Sequence, residues 1–122
     1  MALTINLEEH NNYILLDIIG AIDASNAGVV DRYLEFIVSN YNKHLLIDGS
    51  QLQSTTIAGL QVFIKAKQKV PLFKMMIFCN ITTGIMSLIE LSGIASLIPI
   101  VPNIIDGKSI LKKIDSFHEI EY

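Results

Sequence analysis

Tryptophan is absent from the 122 residues, cysteine occurs once and proline three times. The lone Cys79 forms no internal disulfide, so packing must hold the fold together. At this length a domain buries roughly two-thirds of its unfolded surface and needs no covalent staple. Cys79 lies in an apolar run and reads as a buried structural thiol. Basic residues are also few: nine stand against twelve acidic ones, for a formal net charge of −3. No block of either sign occurs, which excludes the electropositive footprint of a nucleic-acid binder. The lysines gather loosely at Lys65, Lys67, Lys69 and Lys74, and again at Lys108, Lys112 and Lys113, as on solvated helix faces.

His10, His44 and His118 never stand at i, i+4 with another His or Cys, so the spacing of a zinc site is missing and no metal is expected. His44 opens a strand and reads as a surface or hydrogen-bonded histidine. Neither glycine pattern of the phosphate-binding loops occurs, and no cofactor is expected. The apolar stretch from Ile81 to Ile105 is broken by Glu90, Pro99 and Pro102. It falls short of the roughly 20 uninterrupted residues a membrane span needs. The opening Met-Ala-Leu-Thr has no basic segment followed by an apolar one, so a cytoplasmic chain is expected.

What is abundant is apolar surface. Hydrophobic residues make up 51% of the chain and charged residues only 17%. A small monomer hides that much with difficulty, so an exposed docking patch or a homodimer face is expected.

Along the chain, Leu3–Leu7 alternates and reads as a half-buried strand, and Tyr13–Ile19 as a second one ended by Gly20. The two suit a hairpin at a sheet edge. Asp23, Ser25 and Asn26 are all capable of capping a helix in which Val30, Tyr33, Leu34, Ile37 and Val38 recur at helical spacing to Asn40. His44–Asp48 is a short apolar run ending in a carboxylate, the mark of a buried central strand. A loop is expected from Gly49 to Thr56, then a helix with Leu60, Phe63 and Ile64 inward, finished before Pro71. Lys74–Cys79 reads as the next buried strand. Thr82 or Thr83 opens a third helix to Leu91, with Gly93 as terminator. Ile98–Val101 is a short strand whose Pro99 suits an edge. Asp106 starts a last helix with Ile110, Leu111, Ile114 and Phe117 inward, frayed from Phe117 to Tyr122. Five strands alternating with four helices predict one α/β domain over residues 1–122, built on a mixed, mostly parallel sheet.

Asp17, Asp23 and Asp48 fall at predicted element ends, where capping and loop hydrogen bonds are their ordinary roles. No nucleophile has a base and an orienting group at a recognisable spacing, so no enzyme is expected. The segment after Asp48 is more informative. It leads from the C-terminal end of a buried parallel strand to a helix start, the place where open α/β sheets engage ligands and partners.

Four segments resemble the STAS family, which includes the anti-sigma-factor antagonists. Ile19-Gly20-Ala21-Ile22-Asp23-Ala24-Ser25-Asn26-Ala27 is similar to the family's Gly-x-Leu-Asp-x-x-Asn-Ala segment. Leu45 to Leu52 resembles its apolar strand followed by Asp-Leu-Ser-x-Val. Gly59-Leu60 falls on the Gly-Leu of its Asp-Ser-Ser-Gly-Leu motif, and Leu88 to Ile94 is similar to its Leu-x-Leu-Thr-Gly-Leu. The resemblance covers about Tyr13 to Leu111. It implies a non-enzymatic protein-binding module that docks onto a kinase-like anti-sigma factor or related regulator. The implied contact residues are Asp23, Asp48, Ser50, Gln53, Ser54, Thr55, Thr56, Ala58, Gly59 and Gln61.

One departure stands out. The ungapped match puts Ala58 at the serine that family members phosphorylate, with Thr56 and Ile57 before it. A phosphoserine would bring a charge near −2 into the contact surface and release the partner. Here that switch is expected to be absent, or moved to Thr55 or Thr56. The alternative implied by the same resemblance is a STAS subunit of a membrane transport system, which needs no phosphoserine.

Overall fold

The computed structural model describes residues 2–120, with side chains as far as Phe117. Strand β1 (Leu3–Glu9) runs antiparallel to β2 (Tyr13–Ile22), and helix α1 (Ala27–Asn40) follows. Then come β3 (His44–Asp48), β4 (Leu52–Thr55), α2 (Ile57–Lys67), β5 (Met76–Cys79), α3 (Thr83–Ser92), β6 (Ile100–Val101) and α4 (Ile104–Ile120). The sheet order is β1-β2-β3-β5-β6, and every contact except β1–β2 is parallel.

The expected hairpin, mostly parallel sheet and alternating α/β pattern are present, and the sheet gains one short further strand to make six. The extra strand is β4, which occupies the expected loop and pairs only with the upper half of β2. Strand β2 thus serves two neighbours. Residues Tyr13–Asp17 pair with β3, and Gly20–Ile22 pair with β4. Gly20 opens the stretch paired with β4, and the register shifts between it and Ala21. The φ of Gly20 is +107°, and a Cβ there would sit 2.0 Å from the Ala2 carbonyl oxygen. Any side chain would be strained and in collision.

Successive strand residues face opposite sides. On one side Ile14, Leu16, Leu45, Ile47 and Phe78 pack against α1, α2 and α3. Phe63 of α2 is fully buried there, edge-on to Phe78 at 5.1 Å between ring centres. Truncating such a residue to Ala costs about 3–5 kcal/mol. On the other side Tyr13, Leu46, Ile77 and Cys79 pack against Leu111 of α4.

Local boundaries follow from capping. Asn103 accepts the Asp106 N–H at 2.8 Å, so α4 starts two residues before Asp106. It stays helical through Ile120, beyond the expected fraying point at Phe117; residues 121 and 122 lie outside the described residues. Gly93 ends α3 in the left-handed conformation, as its position predicted. His44 is wholly buried with both ring nitrogens engaged, so the hydrogen-bonded reading holds.

Candidate functional site

The site is assembled where the parallel strands end. Ile22, the last residue of β2, pairs with Thr55, the last of β4. The turn after β2 and the start of α2 therefore lie side by side. Gly59 brings them close: a Cβ on it would lie 2.9 Å from both Ile22 Cγ2 and Thr55 Oγ1.

The β2–α1 turn is tied internally. The Asp23 carboxylate accepts the Ser25 N–H at 2.8 Å and the Ser25 hydroxyl. These bonds hold its carboxyl below the usual carboxylate range, so Asp23 is ionised. Asn26 stands at the N-cap position of α1 but does not cap it. Its side chain turns back, accepting from the Asp23 N–H and donating to the Ala21 carbonyl, both at 2.9 Å.

At the next strand end, Asp48 accepts the Ser50 N–H at 2.9 Å and the Asn80 side-chain amide at 3.3 Å. The register places Asp17, Asp48 and Cys79 in one row across β2, β3 and β5. Asp17 is thus a mid-strand residue, not an element end as expected. Burial and then the Asp48 charge raise its carboxyl pKa, and one of its oxygens is buried with no hydrogen-bond partner. The same two causes push the Cys79 thiol up to about 12. A thiol so firmly protonated is no nucleophile.

The start of α2 is capped by Thr56, whose Oγ1 accepts the Gly59 N–H at 2.9 Å. Thr55 donates its hydroxyl to the Thr56 carbonyl. Both hydroxyls expected as alternative phosphate acceptors therefore serve the local backbone. Ala58 is exposed in the first turn of α2, and Gln61 is exposed one turn on, at i+3. Gln53 and Ser54 are exposed on β4, and Ser50 is exposed in the turn before it.

The structure therefore gathers Asp23, Thr55, Thr56, Ala58 and Gly59 at one rim, with Gln53, Ser54 and Gln61 on the flanking surfaces. Asp48 and Ser50 form the neighbouring strand end. Gly59 is corrected in one respect. It is buried, and it acts by close packing rather than as a surface contact. Sequence reasoning missed that 52–55 is a strand, so Gln53 and Ser54 lie on an edge ladder, not on a free loop.

The STAS domain profile matches residues 4–107. No curated protein sequence matches the chain. Among solved structures, an anti-sigma factor antagonist from Mycobacterium paratuberculosis superposes with a TM-score of 0.84 at 19% identity, covering 91% of this chain and 95% of that one. A variant of RsbS from Moorella thermoacetica gives 0.76 at 16% identity, covering 92% and 97%. A STAS domain protein from Planctomyces limnophilus gives 0.75 at 7% identity, covering 90% and 96%. At such identities these likenesses speak for the fold, while the profile spans most of the chain: this protein belongs to the STAS domain family.

Proposed function

We propose that this chain is a non-catalytic protein-docking module of the anti-sigma-factor antagonist kind, which holds its partner without phosphoserine control. The observation that carries this reading is Ala58, a small uncharged side chain exposed on the first turn of α2, beside the capping Thr56 and the Asp23 turn that Asn26 braces. The rim around it is held by local hydrogen bonds. The Thr55 and Thr56 hydroxyls and the Gly59 N–H are already bonded within it, so these groups lose little ordering entropy on docking.

Charge narrows the partner. No Lys or Arg occurs in residues 1–31, 44–64 or 75–107. The strand ends at Asp23 and Asp48 therefore carry carboxylates in segments that hold no Lys or Arg. A partner surface carrying Lys or Arg fits them, and its association weakens as salt rises.

The experiment is photo-crosslinking with a benzophenone amino acid placed at Gln53 or Gln61, and at Glu90 on α3 as the comparison position. The reading expects one regulatory protein joined through positions 53 and 61 and not through 90. Crosslinks only through position 90 would move the docking face elsewhere and defeat it.

A further inference from the structure

The opposite end of the sheet carries a different surface. Met76 opens β5 beside Leu45, while Cys79 closes it beside Asp48. The segment before Met76 is thus at the far end from Ala58. There Pro71, Leu72, Phe73 and Lys74 form a tight turn, closed by the Lys74 N–H donating to the Pro71 carbonyl at 3.0 Å. Phe73 is its third residue and has φ +68°. Turns of that shape take Gly at this position, because a Cβ is strained there. The chain holds a phenylalanine in a glycine's conformation and leaves it 55% exposed. Leu72 beside it is 81% exposed, and Leu97 across the adjoining groove is 48% exposed.

A single exposed leucine means nothing. Two consecutive apolar side chains projecting from a strained turn are a different matter, since strain persists where function uses it. Among the described residues the groove lining has one sign of charge. Lys67 and Lys74 line the groove, no carboxylate does, and neither lysine makes an ion pair within 4 Å among the described residues. The Asp115 charge interacts with Lys74, and Asp115 is already bonded to Asn12 and His44. Lys65 and Lys69 lie farther along, held by Asp31 and Glu35.

We infer that the Pro71–Lys74 turn docks onto an anionic lipid surface. Leu72 and Phe73 enter the interface, and Lys67 and Lys74 meet the headgroups. Projecting apolar tips offer insertion depth but no array of hydrogen-bonding groups, which suits a bilayer interface rather than a shaped protein pocket. Long lysine stems lie along apolar surface while their charges reach the phosphates. Docked this way, the protein turns its Ala58 rim away from the membrane.

The test is co-sedimentation of the full chain with phosphatidylcholine vesicles, with and without 30 mol% phosphatidylglycerol. Uptake is expected on the anionic vesicles only, and it should fall as NaCl is raised. Lys67→Gln with Lys74→Gln should weaken it roughly 25-fold, at about five-fold per lysine. Phe73→Gly removes the ring while relieving the backbone of the turn, and circular dichroism checks that the variant is folded. With Leu72→Ser it should lose uptake by about ten-fold or more. No uptake on anionic vesicles would overturn the proposal, as would uptake that both double variants share equally with the wild type. Sedimentation velocity adds a further check. A wild-type dimer that the Leu72→Ser, Phe73→Gly variant dissolves, without vesicle uptake, would make a second copy the occupant.

Discussion

Gly59 on α2 rests directly on Ile22 of β2: a Cβ at Gly59 would stand 2.9 Å from Ile22 Cγ2 and 3.3 Å from the Ile22 carbonyl oxygen. Helix α2 can approach the strand so closely only without a side chain at this point. Ile22 is fully buried and cannot retreat. Gly59→Val should destabilise the protein by about 1–3 kcal/mol through overpacking, even though glycine is a poor helix former. Urea unfolding followed by circular dichroism measures it.

The Thr56 hydroxyl caps the same helix through the Gly59 N–H. Thr56→Ala leaves that first-turn donor without its side-chain acceptor and should cost about 1 kcal/mol. Thr56→Ser keeps the acceptor and should recover most of the loss in the same assay.

Asp17 and Asp48 stand in register on adjacent strands, and Asp17 carries a raised pKa caused first by burial and then by the Asp48 charge. A carboxyl raised in the folded state binds more protons folded than unfolded. Its ionisation therefore subtracts stability as pH rises from its unfolded value near 4 through the raised folded one. Asp17→Asn should be more stable than the wild type at pH 7, by under about 1 kcal/mol because the pair is only half-buried and water screens it. The advantage should vanish at pH 3. Melting temperatures at the two pH values decide this.

Asp115, bonded to the buried His44, shows the opposite sign. The His44 Nδ1 accepts the Met75 N–H at 3.0 Å, which leaves the ring proton on Nε2, 2.7 Å from Asp115 Oδ1. Burial raises the Asp115 carboxyl, but the bonds from Asn12 and His44 outweigh it, and the net pKa is lowered. A lowered carboxylate contributes stability above its unfolded value, and that contribution is lost as pH falls through the folded one. Asp115→Ala leaves a buried imidazole N–H unpaired and should cost about 1–3 kcal/mol at pH 7. Its deficit should narrow below pH 4, where the wild type loses the same ion.

Much of this architecture was legible in the residues because buried parallel strands are written as short apolar runs. Leu45–Ile47 and Met76–Cys79 announce themselves, and the helices show their inward stripes. Strand β4 does not, for a physical reason. It is an edge strand in which only Leu52 is buried, so its sequence carries no apolar alternation. Its one local mark in the sequence is Gly20, where the second pairing of β2 begins. The His44–Asp115 contact joins positions 71 residues apart and leaves no local trace. Asn26 is a capping residue type by composition, yet the turn at Asp23 recruits it instead. The row of Asp17, Asp48 and Cys79 becomes visible only once the parallel register is known.

The claim that the Ala58 rim is the docking face is tested most directly by titrating the crosslinked partner, once purified, against the wild type and Ala58→Asp in a calorimeter. An unpaired carboxylate forced into the contact should raise Kd ten-fold or more, equivalent to about 1.4 kcal/mol. An unchanged Kd, with the variant folded as the wild type, would mean that the partner binds some other surface.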